Sequence, residues 1–189
     1  IETPQVEYND DNITHLSDVD HIRTRPGMYI GRLGDGTNSE DGIYVLLKEA
    51  IDNSIDEFRM NAGKRIEVDI IDNKAVSLRD YGRGIPQGKM IEAVSQLNTG
   101  GKYDSKAFKK SVGMNGVGIK AVNFLSAKFE VRSYRDGMVR TAKFECGKLM
   151  EDTTAPTSDE TGTYIYFEPD ATLFKNYSFH NDIVETMLR

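Results

Sequence analysis

The chain has 189 residues and a formal net charge of −6, with 38% hydrophobic and 29% charged side chains. This composition predicts one sizeable globular domain and argues against a disordered chain. The acidic balance does not favour the domain itself as a main DNA-binding surface. Cys146 is the only cysteine, so an internal disulfide is excluded. The sequence has no apolar run long enough to span a membrane and no signal peptide.

The two ends of the chain indicate a piece of a longer protein, because it starts at Ile1 without Met and stops at Arg189 inside a helix-like run. Residues 1–20 are polar, acidic and poor in core-forming side chains, which is typical of an arm. An Arg-Pro-Gly turn follows at 25–27. We therefore predict an N-terminal arm over 1–24 and a domain over 25–189.

The segment 43–58 has the period of an amphipathic helix. One face carries Leu47, Ile51, Ile55 and Phe58, and the other carries Glu49, Asp52, Asn53 and Asp56. A solvated surface is the ordinary explanation of a polar helix face. This face lacks Lys and Arg, however, so its closely spaced acids repel one another unless a cation or a hydrogen-bond donor compensates.

Alternating apolar residues predict a hairpin of strands at 66–71 and 75–79. Short helices are predicted at 90–97 and 117–125. The remaining predicted elements are strands at 128–134, 138–144 and 163–168, with a polar loop at 153–161. Helices interleaved with mostly antiparallel strands favour an α+β sandwich over a Rossmann fold.

Glu49 and Asn53 lie one helical turn apart on the polar face of the helix 43–58. A carboxylate there can take a proton from an attacking water. The carboxamide oxygen can bind Mg²⁺, which prefers hard oxygen ligands. This spacing occurs by chance in many helices, so the pair indicates a site only together with other segments.

Asp80 ends a predicted strand in a glycine turn that contains Gly82 and Gly84. The structural explanation is a turn former, since Asp and Gly suit tight turns. The functional explanation is a buried acceptor for an exocyclic amine such as that of adenine, with glycines that let the backbone approach a flat ring. Pro86 then stiffens the exit from the turn.

A glycine loop, with Gly113, Gly116 and Gly118, precedes the helix 117–125. Its backbone N–H groups can converge on an anion, although it can equally be a flexible loop. The chain has neither a P-loop motif nor a dinucleotide-binding fingerprint. The polar stretch 100–115 has the length of a lid, and its Lys102 can either meet a phosphate or be solvated. Thr163 can offer its hydroxyl to a base or be an ordinary strand residue.

The joint pattern of these segments resembles the GHKL ATPases and, within them, the B subunits of bacterial type II topoisomerases. The motifs are RPGMYIG at 25–31, EAIDNSIDE at 49–57, DYGRGIP at 80–86, GGK at 100–102, GMNGVG at 113–118 and Gly162-Thr163. They span nearly the whole chain, and the combination is highly specific. The resemblance implies a Bergerat two-layer sandwich, with a mixed, mostly antiparallel sheet and helices on one face.

The resemblance also implies a role for each residue of the site. Glu49 is the general base that activates water, and Asn53 holds Mg²⁺. Asp80 accepts a hydrogen bond from the adenine amino group, with Thr163 assisting. Arg83 borders the adenine pocket and pairs with Glu57. The other residues that contact nucleotide are Gly84, Ile85, Pro86, Ile165, Lys102, Gly113, Met114, Asn115, Gly116, Val117 and Gly118, with Tyr8 of the arm reaching into the partner subunit's site.

The implied activity is ATP binding and hydrolysis that close and reopen a dimer gate for DNA strand passage. The implied partners are ATP, a second copy of the full-length protein, the A-type subunit, and DNA through the full assembly, with no membrane. A bacterial, cytoplasmic, nucleoid-associated location follows from the same resemblance. Other GHKL ATPases of the mismatch-repair or chaperone type share the ATP site but lack RPGMYIG. A histidine kinase ATP domain needs no water-activating base at Glu49.

The sequence departs from the family pattern in four places, and these differences lead to specific expectations. Asn115 stands where His is usual, and the segment from Pro86 to Gly100 is shorter than in gyrase; both favour topoisomerase IV. Either Arg140 or Thr141 occupies the position of a pocket arginine. The phosphate-sensing lysine of the transducer domain is missing, so this chain is expected to bind ATP but turn it over slowly.

Overall fold

A computed structural model of the chain describes residues 18–59, 65–97 and 118–189, except for the side chains of 55–59. Helix α1 covers residues 18–24 and is followed by α2 and the long α3. The bounds of the other helices are α2 Gly27–Ile30, α3 Gly42–Arg59, α4 Met90–Ser95, α5 Gly118–Phe124 and α6 Asn181–Met187. The strands are β1 Ile66–Ile71, β2 Ala75–Asp80, β3 Ser126–Arg135, β4 Met138–Glu145, β5 Lys148–Pro156 and β6 Gly162–Pro169.

The described strands form one sheet in the order β1-β2-β6-β3-β4-β5, and each neighbouring pair is antiparallel. Strand β6 is inserted between β2 and β3, so the end of the hairpin β1–β2 lies beside the start of β6. The predicted α+β class is confirmed. The predicted helix 43–58 and the predicted hairpin are also confirmed, as α3 and as β1 with β2.

The core lies between one face of the sheet and the helices. Side chains alternate along each strand, and the inward positions of β2, β3 and β6 are apolar and buried: Val76, Leu78, Phe129, Val131, Ile165 and Phe167. Helix α3 covers them with Leu46, Leu47 and Ala50. Burial of each large side chain contributes about 1.5–3 kcal/mol, and this packing fixes α3 above the strands.

The predicted polar loop at 153–161 is wrong over its first residues, because β5 runs through Pro156 and pairs with β4. Every side chain of β5 is exposed. A strand without a buried face has no alternation of apolar residues, so its sequence resembles that of a loop. Cys146 and Gly147 have positive φ values of 51° and 85°, as a tight turn between β4 and β5 requires.

Helix α1 belongs to the packed layer, although its residues fall within the segment 1–24 that the sequence analysis assigned to an arm. Val19 and Ile22 of α1 are in the core. The division of the chain into an arm and a domain stays a prediction, since residues 1–17 lie outside the described residues. Among the described helices, none is both long and apolar enough to cross a membrane.

Candidate functional site

Asp80 is the last residue of β2 and one of the few buried acids among the described residues. It continues the inward series of Val76 and Leu78, so the alternation of the strand directs its side chain to the core face. Only 3% of the residue is exposed. Its Oδ1 accepts hydrogen bonds from the backbone N–H groups of Gly82, at 3.1 Å, and Thr163, at 3.0 Å. A buried carboxylate held by backbone donors is a preorganised acceptor site.

Thr163 lies beside Asp80 on the neighbouring strand. It is 2% exposed, and its hydroxyl oxygen has no hydrogen-bond partner in the part of the chain that the structure describes. A buried polar group without a partner costs about 1–3 kcal/mol. Such a cost is offset when a ligand or an ordered water supplies the missing bond. Asp80 and Thr163 therefore form a buried polar pair at the ends of β2 and β6.

The segment from Gly84 to Gln87 leads away from this pair and is held by the hairpin β3–β4. Gly84 has φ +79°, and a Cβ there would lie 2.7 Å from the carbonyl oxygen of Tyr134. The Ser133 hydroxyl donates to the carbonyl of Ile85. The Gln87 amide donates to the carbonyls of Ser133 and Met138 at 2.9 and 3.0 Å. The backbone of the segment is thus fixed at several points.

Arg140 also contacts this segment. It forms a bidentate ion pair with Asp152, with N···O distances of 2.9 and 2.7 Å, and donates a hydrogen bond to the carbonyl of Gln87. The hydrogen bond from Arg140 lowers the pKa of the Asp152 carboxyl. Thr141, as the next residue of β4, faces the other side of the sheet. Of the two residues considered for the position of a pocket arginine, only Arg140 reaches Gln87.

Glu49 and Asn53 are half-buried on α3, one helical turn apart. Helix α3 contacts β2, β6 and α5, so this helix lies over the strands that carry Asp80 and Thr163. Asp52 on the same helix is exposed. Within the described residues, no group of three or more His, Cys, Asp or Glu side chains is placed to hold a metal ion.

Residues 38–173 match the family model described as "Histidine kinase-, DNA gyrase B-, and HSP90-like ATPase". The chain belongs to this ATPase family. The resemblance inferred from the motifs is therefore confirmed, and the family implies ATP binding.

Individual relatives point to one branch of the family. The chain is 54% identical over 178 residues to the B subunit of DNA topoisomerase 4 from Borreliella burgdorferi, covering 94% of this chain and 30% of that protein. It is 40% identical over 193 residues to the B subunit of DNA topoisomerase 4 from Streptococcus pneumoniae, covering 95% and 29%. It is 36% identical over 190 residues to the B subunit of DNA gyrase from Metamycoplasma hominis, covering 94% and 28%. The chain thus spans under a third of the length of these curated relatives.

A solved structure has the same fold. The crystal structure of the 43K ATPase domain of Thermus thermophilus gyrase B, in complex with an aminocoumarin, superposes with a TM-score of 0.71 at 29% identity. The match covers 93% of this chain and 45% of that one. The predicted two-layer sandwich of the ATPase family is confirmed by this likeness.

Several predicted site residues lie outside the described residues, and their placement stays a prediction. They are Tyr8, Lys102, Gly113, Met114, Asn115, Gly116 and Val117, together with the side chain of Glu57 and hence its pairing with Arg83. Gly118 is described: it is buried, begins α5 and has φ +47°, a conformation that favours glycine.

The remaining predicted residues divide between the surface and the core. Arg83 and Pro86 are exposed, and Ile85 is half-buried against the core. Ile165 is 1% exposed and lies two residues beyond Thr163, on the same face of β6. Ile165 therefore lies in the apolar layer that continues from the Asp80–Thr163 pair.

Sequence analysis missed the side-chain contacts that hold the Gly84–Gln87 segment of the candidate site. Ser133, Gln87 and Arg135 fix the Gly84–Gln87 segment, and the Arg135 guanidinium donates to the carbonyl of Gly84 at 3.0 Å. Lys120 lies in the first turn of α5. Burial lowers the pKa of Lys120, while the nearby charge of Glu92 opposes that shift.

Proposed function

We propose that this chain is the ATP-binding and ATP-hydrolysing domain of the B subunit of a bacterial type II DNA topoisomerase. The buried pair of Asp80 and Thr163, at the end of β2 and the start of β6, carries the proposal. In the whole protein, ATP binding closes a dimer gate, and hydrolysis and release reopen it for DNA strand passage. The identity of 54% to one topoisomerase IV relative, against 36% and 37% to two gyrase relatives, favours topoisomerase IV.

The adenine ring is bound where the end of β2 meets the start of β6. The carboxylate of Asp80 accepts a hydrogen bond from the 6-amino group. The Thr163 hydroxyl, which has no partner among the described residues, joins the same network directly or through a water. Gly84, Ile85 and Pro86 form one wall, and Ile165 lies beneath. Because Gly84 has no Cβ, the backbone can pass close to both the hairpin β3–β4 and the ring.

The triphosphate lies toward α3 and the start of α5. Glu49 takes the proton from the attacking water as general base. The half-buried carboxamide of Asn53 offers the hard oxygen that Mg²⁺ prefers, and the few protein donors suit an ion that keeps water and phosphate ligands. When bound, Mg²⁺ neutralises charge on the phosphates. Lys102, Gly113, Met114, Asn115, Gly116, Val117 and Gly118 hold the phosphates, and Tyr8 reaches the site of a second copy of the chain.

The partners proposed for the whole protein rest on the family resemblance of its motifs. They are a second copy of the same chain, the A-type subunit, and DNA bound through the full assembly. A protein with this substrate acts in the bacterial cytoplasm, associated with the nucleoid.

The proposal is tested by calorimetric binding of a non-hydrolysable ATP analogue with Mg²⁺ to the wild type and to Asp80→Asn. The Asn side chain keeps an oxygen for the N–H groups of Gly82 and Thr163 but loses the charge. We expect the dissociation constant to rise by about tenfold or more, the size of one hydrogen bond to a charged group. The control is Asp69→Asn, an acid on β1, which should bind as the wild type does. Equal affinity in the folded Asp80→Asn and wild-type proteins would refute the assignment of adenine to Asp80.

A further inference from the structure

Arg79 is the neighbour of Asp80 on β2, and its side chain lies on the face of the sheet opposite the core. Its guanidinium carbon is 4.4 Å from the ring centroid of Tyr81 and 4.4 Å from that of Tyr134. Tyr134 is only 8% exposed. Two aromatic contacts of this kind hold the planar group in one place, which distinguishes Arg79 from a solvated surface arginine.

The hydrogen bonds of this fixed guanidinium join two parts of the backbone. Nη1 donates to the carbonyl of Asp80, and Nη2 donates to the carbonyl of Glu160 at 2.5 Å. The pairing of β2 with β6 reaches only as far as Arg79 opposite Tyr164. Arg79 thus connects the end of β2 to the loop before β6, directly behind the point where Asp80 and Thr163 meet.

Gly162 makes room for this connection. It has φ +143°, and the space that a Cβ would occupy is taken by the carbonyl oxygen of Asp80 and by Nη1 of Arg79. The next residue, Thr163, donates its backbone N–H to Oδ1 of Asp80 at 3.0 Å. The arginine and the carboxylate therefore hold the same two strand ends from opposite faces of the sheet.

We infer that Arg79 is a positioning residue for base recognition, which sets the geometry of the Asp80 carboxylate and the Thr163 hydroxyl from behind the sheet. This inference rests on the proposed function, because it assigns those two groups to the adenine ring. Arg79 itself does not contact nucleotide. Its effect falls on the contact with the 6-amino group and leaves the phosphate contacts unchanged.

The test compares two non-hydrolysable triphosphates that differ only in the 6-amino group, the ATP analogue and its purine-riboside counterpart. Calorimetric dissociation constants are measured for the wild type, Arg79→Met and Arg79→Lys. In Arg79→Met we expect the constant for the ATP analogue to rise about tenfold, as for one charge-assisted hydrogen bond, with little change for the purine riboside. Arg79→Lys keeps the charge but not the planar guanidinium group. In this variant the dissociation constant of the ATP analogue should rise about threefold.

The matched control is Lys143→Met. Lys143 lies on the same face of the sheet, and its ammonium nitrogen is 3.6 Å from a Glu130 oxygen and 3.3 Å from a Glu151 oxygen, contacts that reach neither Asp80 nor Glu160. This variant should leave the ratio of the two dissociation constants unchanged.

An unchanged ratio in Arg79→Met, or equal weakening of both nucleotides, would overturn the role of Arg79. If Arg79→Met does not fold, as judged by a cooperative thermal transition, the ratio in Arg79→Lys decides in the same way. A wild-type protein that binds both nucleotides equally would instead overturn adenine recognition by Asp80, and this inference with it.

Discussion

At the scale of single residues, Thr163 shows how a residue of the proposed binding site can lower the stability of the fold. Its hydroxyl is buried and has no hydrogen-bond partner in the described part of the chain, whereas its backbone N–H donates to the carboxylate of Asp80. A methyl group in place of that hydroxyl removes an unpaired polar atom from an apolar layer. Stability and nucleotide affinity should therefore change in opposite directions at this position.

We expect Thr163→Val to raise the free energy of unfolding by about 1 kcal/mol and to weaken binding of an ATP analogue by about threefold to tenfold. Chemical denaturation measures the first effect and calorimetry the second. Thr153→Val, at an exposed position of β5, is the control and should change neither quantity. Lower stability in Thr163→Val would mean that the hydroxyl already has a partner in the free protein.

At the scale of elements, the Gly84–Gln87 segment depends on close approach of its backbone to neighbouring strands. Gly84 has φ +79°, and a Cβ there would lie 2.7 Å from the carbonyl oxygen of Tyr134 and 3.0 Å from that of Gly162. Both atoms belong to backbone, which cannot move aside as a flexible side chain would. The segment can adopt its path only with glycine at this position.

We expect Gly84→Ala to lower the free energy of unfolding by about 2–3 kcal/mol, from the left-handed backbone and the steric overlap together. It should also weaken nucleotide binding, because the proposed wall of the adenine site would move. Gly88→Ala is the matched control: a Cβ there has no atom within 4 Å and its φ is not positive. Thermal unfolding of the two variants measures the difference, and similar midpoints would contradict the steric argument.

The same elements show what the sequence could predict. Helix α3 and the hairpin β1–β2 follow from local periodicity, and the placement of Asp80 follows from alternation along β2 into a glycine turn. Strand β5 was missed because none of its side chains is buried. Sequence analysis also missed the hydrogen bonds from Arg79 to Glu160 and from Ser133 to Ile85, because these partners are distant in the chain. Contacts of that kind depend on which strands become neighbours, and no local pattern encodes them.

At the scale of the whole molecule, Arg23 connects three parts of the fold. From α1 it donates to the carbonyl of Phe124, at the end of α5, at 2.9 Å, and to the carboxylate of Asp170, just beyond β6, at 2.5 Å. The Asp170 side chain is only 8% exposed. Burial alone would raise the pKa of Asp170, but hydrogen bonds from Arg23 and Thr172 lower it overall.

This lowered pKa makes the stability of the domain depend on pH in acid. A carboxyl whose pKa is lower in the folded than in the unfolded state stabilises the fold once it is ionised. This stabilisation is fully present when the pH is above the unfolded pKa, near 4, and it is lost as the pH falls through the folded pKa. Asp170→Asn removes the titrating group. We expect it to lower the free energy of unfolding at pH 7 by about 2 kcal/mol and to flatten the fall in stability below about pH 4.

Urea denaturation at a series of pH values from about 7 down to about 2.5 measures both effects, with Asp136→Asn as the control. The Asp136 side chain is 91% exposed and lies in the turn between β3 and β4, so its replacement should reproduce the wild-type acid profile. The contact of Arg23 with Asp170 lies among α1, α5 and the segment after β6, away from Asp80. Loss of nucleotide affinity at neutral pH in a folded Asp170→Asn protein would therefore mean that this contact is coupled to the site. A parallel acid profile for Asp170→Asn and the wild type would contradict the lowered pKa itself.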